Sequence, residues 1–135
     1  MDTAVITYLN ELRTEALHQR SGEKILTDAP VDNKGRGAAF SPTDLLATSL
    51  ATCMITTIAI MADTKGIIIS GMNARVVKHM ASQPRRVERV EIHLEVKDVH
   101  LNEQERTLIE NTARSCPVAI SLHPDMIQEV HFVYT

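Results

Sequence analysis

The chain has 135 residues, and its 14 Lys and Arg against 17 Asp and Glu give a formal net charge of −3. This length suits a single domain spanning residues 1–135. Charges of both signs are mixed along the chain without a basic stripe, and only two Tyr, two Phe and no Trp are available to stack on bases. The composition therefore argues against a nucleic-acid-binding role.

The N-terminal segment lacks a positively charged region followed by an apolar run, so we predict no signal peptide and a cytoplasmic location. The sequence contains two cysteines, Cys53 and Cys116. In a reducing compartment, two cysteines rarely form a structural disulfide. They are therefore expected to be either inert core residues or catalytic thiols.

The first third of the chain is predicted to form β structure. Residues 5–9 form a candidate strand, and residues 13–19 and 23–28 can pair as a hairpin around Ser21 and Gly22. Residues 29–37 are rich in Gly, Pro and Asn and predict a loop. The flanking strands are too small to bury a core alone, so we predict no domain boundary here.

A long helix is predicted over residues 41–66. Ser41 is a natural N-cap, Pro42 fits the first helical position, and Asp44 completes a capping-box pattern. Gly66 suits the C-cap. The helix is apolar on nearly every face, which predicts burial. Polar residues interrupt it, so we expect a central helix wrapped by sheet rather than a membrane span; they are Thr48, Ser49, Thr52, Thr56, Thr57 and Asp63.

The remaining elements complete an α+β pattern of order β-β-β-α-β-β-α-α-β. Two long strands are predicted over residues 67–81 and 86–99, with a turn at Gln83-Pro84. The second strand alternates, placing Val90, Ile92, Leu94 and Val96 on one face. A helix is expected from Asn102 and a short third helix over residues 115–123, because Pro117 suits a first helical turn. A final strand is expected over residues 128–134.

The two cysteines differ in their local sequence. Cys116 lies at the start of a predicted helix, where free N–H groups favour a thiolate, although it also fits as a small apolar residue at a helix junction. Cys53 lies in mid-helix, where a thiol is usually inert with a raised pKa. Hydroxyl groups of Ser49, Thr56 and Thr57 lie on the same helix face, and can bond either a thiolate or the helix backbone.

Two motifs resemble those of the OsmC/Ohr family of thiol peroxidases. Residues 35–54, Gly-Arg-Gly-Ala-Ala-Phe-Ser-Pro-Thr-Asp-Leu-Leu-Ala-Thr-Ser-Leu-Ala-Thr-Cys-Met, are similar to the family's Gly-rich loop, Ser/Asn-Pro and apolar helix with the first cysteine. Residues 115–119, Ser-Cys-Pro-Val-Ala, resemble its second motif. The order of elements also matches, so the resemblance covers nearly the whole chain.

The resemblance implies a fold and an activity. It implies antiparallel sheets around a long central buried helix, in an intertwined homodimer with sites at the subunit interface. It implies that Cys53 attacks an organic hydroperoxide and becomes a sulfenic acid, which condenses with Cys116 to a disulfide. It further implies recycling by a dithiol such as a reduced lipoyl group. No further cofactor is expected.

The resemblance also implies an arginine that supports the thiolate, held by a glutamate just after the proline of the first motif. Arg13 is the best positional match, ahead of Arg20 and Arg36. The sequence departs from the pattern at the glutamate, because Thr43 follows the proline and Asp44 suits a helix cap. This departure keeps open an alternative, a non-catalytic dimeric module that binds a small apolar ligand.

Two other chemistries find less support in the sequence. The six histidines and two cysteines lack paired metal-ligand spacing, so we expect no metal, and the histidines near strands are expected at the surface; these are His79, His93, His100 and His131. A Cys116–His123 hydrolase dyad fits one helix face by spacing, but no acidic partner or oxyanion motif accompanies it.

Overall fold

The structure, a computed structural model, describes residues 1–98 and 100–135, without the side chain of Asp98. It divides into an N-terminal unit, Met1–Leu46, and a C-terminal unit, Ala47–Thr135. The predicted α+β pattern and order of elements are confirmed. The elements are β1 (Ala4–Tyr8), β2 (Arg13–His18), β3 (Lys24–Asp28), α1 (Pro42–Lys65), β4 (Ile69–Ala81), β5 (Arg86–Asp98), α2 (Glu103–Arg114), α3 (Pro117–Ser121) and β6 (Ile127–Tyr134).

The N-terminal unit contains an antiparallel sheet of order β1-β2-β3. The predicted hairpin is confirmed, and Gly22 at its turn has a φ of 79°, which glycine adopts without strain. The register pairs Arg13, the first residue of β2, with Asp28, the last residue of β3. A short 3-10 turn, Val31–Asn33, lies within the predicted loop.

The C-terminal unit contains a sheet of order β4-β5-β6. β4 and β5 pair in the expected antiparallel sense, but β5 and β6 are parallel. A parallel pair needs a crossover connection, and α2 and α3 provide it. The expected end of β5 at Val99 lies outside the described residues.

The core of the C-terminal unit confirms the alternation predicted for β5. Val90, Ile92, Leu94 and Val96 have no exposed surface, whereas the intervening Glu91, His93 and Glu95 are partly exposed. Buried apolar residues of both long helices complete this core; they include Leu50, Met54 and Ile58 of α1 and Ile109 and Ala113 of α2.

The N-terminal end of α1 has the predicted capping box. The Asp44 N–H donates to Ser41 Oγ at 3.1 Å, and the Ser41 N–H donates to Asp44 Oδ2 at 3.0 Å. Both bonds satisfy donors that a helix end leaves unpaired. Beyond the last turn, Gly66 has a φ of 70°, as expected for a glycine C-cap.

Within one chain, α1 is covered along one stripe rather than all round. Its buried residues follow helical spacing; they are Ala47, Leu50, Ala51, Met54, Ile58 and Ala62. By length and composition α1 is apolar enough to cross a membrane, but core helices of soluble proteins pass the same test. Only 33% of its most apolar window is buried, so its other faces are partly open in a single chain.

Candidate active site

Cys53 lies on α1 one residue before the buried Met54. Its side chain is half-buried, so it retains contact with solvent. The Thr57 hydroxyl, one helical turn further on, lies 3.9 Å from Cys53 Sγ. The predicted hydroxyl-bearing face therefore contributes one hydrogen bond to this sulfur.

Cys116 is the N-cap of α3 and is completely buried. Pro117 at the first helical position has no N–H, so the next free donors of this turn belong to Val118 and Ala119. The Ala119 N–H donates to Cys116 Sγ at 3.4 Å. The Gln128 side chain ties the same turn to β6, because its Nε2 donates to the Ala119 carbonyl at 2.9 Å.

The fold brings the two thiols close enough to shift each other's pKa. Burial raises the pKa of Cys53, but hydrogen bonding to the Val118 N–H, to Cys116 and to Thr57 more than offsets it, so its net pKa is lowered. Burial raises the pKa of Cys116, and the adjacent Cys53 raises it further. Cys53 is thus the more acidic of the two thiols.

The local sequence left both readings of each cysteine open, and burial and hydrogen bonds distinguish them. At Cys116, complete burial outweighs the N–H groups of a five-residue helix, so its pKa is raised. At Cys53, a mid-helix position usually raises the pKa of a thiol, but here three donors stabilise its charged form. One of them, the Val118 N–H, comes from a distant point in the sequence.

Arg13 lies in the N-terminal unit and makes a bidentate ion pair with Asp28. Arg13 Nε donates to Asp28 Oδ1 at 2.7 Å, and its Nη2 donates to Asp28 Oδ2 at 2.8 Å. The Arg13 side chain is 22% exposed and the Asp28 side chain is fully covered. The hydrogen bond to Arg13 lowers the pKa of Asp28 despite burial, and the same bond raises the pKa of Arg13.

The other candidate arginines have different surroundings. Arg36 pairs with Glu11 at the surface, and Arg20 is exposed in the β2–β3 turn. Asp44 serves in the cap of α1, as predicted. The carboxylate that holds Arg13 is therefore neither Asp44 nor a residue of the first motif, and Asp28 was not among the predicted site residues.

Three strand histidines are hydrogen-bonded to neighbouring glutamates. His79 and His93 both contact Glu91, at 2.9 and 2.6 Å, and His131 contacts Glu129 at 2.7 Å. Across residues 1–98 and 100–135, no group of His, Cys, Asp and Glu has the geometry to hold a metal ion.

The structure does not support a hydrolase dyad of Cys116 and His123. α3 ends at Ser121, so the predicted helix over residues 115–123 is too long and His123 lies beyond it. The His123 side chain is 69% exposed, whereas Cys116 is fully buried. The two residues therefore do not share the helix face that their spacing implied.

Comparisons with known proteins identify relatives of this chain. The family model of OsmC-like proteins matches residues 34–129, which include both cysteines but neither Arg13 nor Asp28. A solved protein of Psychrobacter arcticus 273-4, described as an osmotic stress induced and detoxification response protein, is 51% identical to the chain. The alignment covers 98% of this chain and 96% of that one, with a TM-score of 0.92.

More distant solved structures share the fold. An organic hydroperoxide resistance protein OsmC of Legionella pneumophila is 18% identical, with a TM-score of 0.70 over 100% of this chain and 98% of that one. One of Vibrio cholerae, solved with captopril in one active site, is 17% identical, with a TM-score of 0.67 over 99% and 92%. No curated protein sequence matches the chain. With the family match over residues 34–129 and the 51% identical structure, the chain belongs to the family of OsmC-like proteins.

Proposed function

We propose that this protein is a thiol peroxidase that reduces organic hydroperoxides through Cys53 and Cys116. The observation that carries the proposal is that the fold brings together a half-buried thiol, Cys53, and a fully buried thiol, Cys116. Cys53 has a lowered pKa and is partly exposed, whereas Cys116 has a raised pKa and is buried. An attacking thiol must be ionised and accessible to the peroxide, whereas a resolving thiol need be neither.

In the first step, the Cys53 thiolate attacks the terminal oxygen of the hydroperoxide. An S–O bond forms and the O–O bond breaks, so the sulfur is oxidised to a sulfenic acid while the peroxide is reduced. The alkoxide leaves and takes up a proton from solvent to give the alcohol. The Val118 N–H and the Thr57 hydroxyl stabilise the thiolate before attack.

In the second step, Cys116 attacks the sulfenic sulfur of Cys53. An S–S bond forms, and the sulfenic oxygen leaves as water with the Cys116 proton. A dithiol reductant, possessing two adjacent thiols as in a reduced lipoyl group, then restores both cysteines by thiol–disulfide exchange and is itself oxidised to a disulfide. The mutual effect of the two thiols on their pKa values supports resolution as an intramolecular step.

Arg13 is proposed to supply the positive charge that stabilises the thiolate and the departing alkoxide. Its ion pair leaves Nη1 with no hydrogen-bond acceptor among the residues that the structure describes. A guanidinium bound along one edge can still donate along the other. The proposal takes support from its match to the family's arginine position.

We further propose that the chain works as a homodimer. Large apolar side chains are exposed along the N-terminal sheet, and α1 is buried on one stripe only. A three-stranded sheet with uncovered apolar faces is marginal in water. A second copy of the chain would cover both surfaces and explain why so small a chain contains so apolar a helix.

The proposal is tested by stopped-flow turnover of cumene hydroperoxide with dihydrolipoamide. We expect turnover by the wild type, loss of at least about a thousandfold in Cys53→Ser, and a single oxidation without recycling in Cys116→Ser. Wild-type protein without turnover, or Cys53→Ser with full turnover, would exclude the peroxidase and favour a ligand-binding module. Thr52→Ser, a neighbouring exposed position on α1, serves as the matched control.

A further inference from the structure

We propose that Gln128 is a positioning residue for the two-thiol reaction, because its side chain holds the turn that carries Cys116 and the Val118 N–H. This inference rests on the proposed function of Cys53 and Cys116. It adds to that function a residue of β6 that acts through the backbone of α3. All of these residues belong to the C-terminal unit, Ala47–Thr135.

Gln128 occupies an inward-facing position of β6. The register pairs it with Val90 of β5, which has no exposed surface. The next two residues of β6 on this face, Val130 and Phe132, are apolar. The adjacent Ile127, in contrast, is apolar but 58% exposed. A polar side chain placed inward, beside an apolar one placed outward, indicates that Gln128 is there to make a hydrogen bond.

The hydrogen bond of Gln128 goes to the backbone of α3. Gln128 Nε2 donates to the Ala119 carbonyl at 2.9 Å, and Ala119 is buried. The N–H of the same alanine donates to Cys116 Sγ at 3.4 Å. Ala119 is therefore held on both sides, by a sulfur at its N–H and by the Gln128 amide at its carbonyl.

The shortness of α3 makes this support necessary. α3 has only five residues, Pro117–Ser121, and a helix of this length is not stable through its own hydrogen bonds. Side chains supply donors to its carbonyls instead: Ser121 Oγ donates to the Pro117 carbonyl at 2.7 Å, and Gln128 donates to that of Ala119. Ser121 belongs to α3 itself, whereas Gln128 belongs to a strand. The Gln128 bond therefore ties the turn to the sheet.

The tied turn presents a backbone donor to the thiols. Burial raises the pKa of both Cys53 and Cys116, and hydrogen bonding to the Val118 N–H lowers the pKa of each. Val118 directly precedes Ala119, so a displacement of the Ala119 backbone also moves the Val118 N–H. Because hydrogen bonds weaken steeply with distance and angle, we expect Cys53 to become less acidic when the Gln128 donor is removed.

Tyr134 offers a matched comparison on the same strand. It lies on the same face of β6 as Gln128, and its hydroxyl donates to Glu110 Oε2 of α2 at 2.9 Å. Tyr134→Phe thus removes a bond between β6 and a helix but leaves α3 tied to the sheet. A purely structural role for Gln128 predicts that Gln128→Met and Tyr134→Phe act alike. A positioning role predicts that only Gln128→Met changes the acidity of Cys53.

The test measures the rate of Cys53 alkylation by iodoacetamide against pH, with the two cysteines resolved by peptide mapping. Gln128→Met keeps an unbranched side chain but has no amide donor. We expect its rate at neutral pH to fall about threefold to tenfold, as for the loss of one hydrogen bond, with an unchanged plateau at high pH. Tyr134→Phe and Gln104→Met, the same substitution at an exposed position of α2, are the controls and should keep the wild-type profile.

A folded Gln128→Met protein with the wild-type profile would overturn the inference, and so would an equal shift in Tyr134→Phe. If Gln128→Met fails to fold, Gln128→Asn decides, because asparagine keeps the amide but is one methylene shorter. A profile shifted to higher pH in Gln128→Asn supports the inference, and a wild-type profile refutes it. Alkylation needs no turnover, so a wild type inactive toward hydroperoxides contradicts the proposed peroxidase without deciding this result.

Discussion

The two compact units of the chain are stabilised in opposite ways. Among the described side chains, every buried apolar residue lies in the C-terminal unit, from Ala47 onward. The buried residues of the N-terminal unit are all polar, namely Thr27, Asp28 and Ser41. One unit therefore has a hydrophobic core, whereas the other is organised around hydrogen bonds and an ion pair.

This difference indicates that the two units gain their stability from different interactions. A sheet and helices packed on buried Val, Ile and Leu gain most of their stability from that burial. The N-terminal sheet instead exposes Ile6, Tyr8, Ile25 and Leu26 to solvent in one chain. Its buried polar residues fix the local backbone and side-chain geometry, whereas its apolar side chains remain exposed in a single chain. Within one chain, the C-terminal unit therefore gains more of its stability from apolar burial than the N-terminal unit does.

The largest expected effect is on the C-terminal core. Ile92→Ala removes a side chain with no exposed surface and should lower the free energy of unfolding by about 2–5 kcal/mol. Ile25→Ala, at a position that is 50% exposed, should change the free energy of unfolding of the monomer by no more than about 0.5 kcal/mol. Urea unfolding at low protein concentration measures both values. Equal costs would show that the units do not differ as described.

The next effect concerns the uncovered sheet. Ile6 is 60% exposed, and Ile6→Asp should weaken self-association about tenfold or more, or about 1.4 kcal/mol, because it places a charge on an apolar contact face. Thr107→Asp adds the same charge at an exposed position of α2, outside this sheet, and is the control. Sedimentation equilibrium gives both dissociation constants. A wild type that stays monomeric at high concentration would refute the dimer.

The two helix caps offer a smaller, matched comparison. Ser41→Ala and Asn102→Ala each remove an N-cap hydrogen bond and should cost about 0.5–2 kcal/mol. Ser41 is buried and Asn102 is exposed, so Ser41→Ala should lie at the upper end of this range and Asn102→Ala at the lower. Asn111→Ala within α2 is the control and should be neutral. If Asn102→Ala lowered the free energy of unfolding as much as Ser41→Ala does, the buried Ser41 would not stabilise the N-terminal unit more than an exposed cap stabilises α2.

The smallest effect appears at acid pH. Hydrogen bonds to His93 and His79 lower the pKa of Glu91 to about 2 from an ordinary 4.5. A lowered folded-state pKa means that the Glu91 contribution is fully present above about pH 4.5 and is lost as the pH falls toward 2. Glu91→Gln should therefore have a shallower loss of stability over this range than the wild type. If the free energies of unfolding of the wild type and of Glu91→Gln fell in parallel between pH 4.5 and 2, Glu91 would not contribute to the pH dependence of stability.

Much of the fold follows from local patterns. The alternation of β5 and the capping residues of α1 and α2 are local signals, and the structure confirms them. The parallel pairing of β6 was not predicted, because a period-two pattern does not specify strand direction. The partial burial of α1 was also missed, because composition does not reveal which faces find a partner within one chain.

The candidate site was predictable in part. The two motif cysteines lie close enough to shift each other's pKa, but which thiol is more acidic depends on burial and on the Val118 N–H, neither of which local sequence reveals. Asp28 had a usable signal, because it ends the predicted hairpin opposite Arg13, where opposite charges stabilise a strand pair. Its three hydrogen bonds, however, depend on a loop conformation that only the structure provides.

The most direct test of the two-thiol mechanism is peptide mapping after a stoichiometric pulse of cumene hydroperoxide, followed at once by alkylation. We expect one intramolecular disulfide between Cys53 and Cys116, and in Cys116→Ser a sulfenic acid on Cys53 alone. Both cysteines recovered as free, alkylated thiols after the pulse would contradict the mechanism, and so would oxidation that begins at Cys116 in Cys53→Ser.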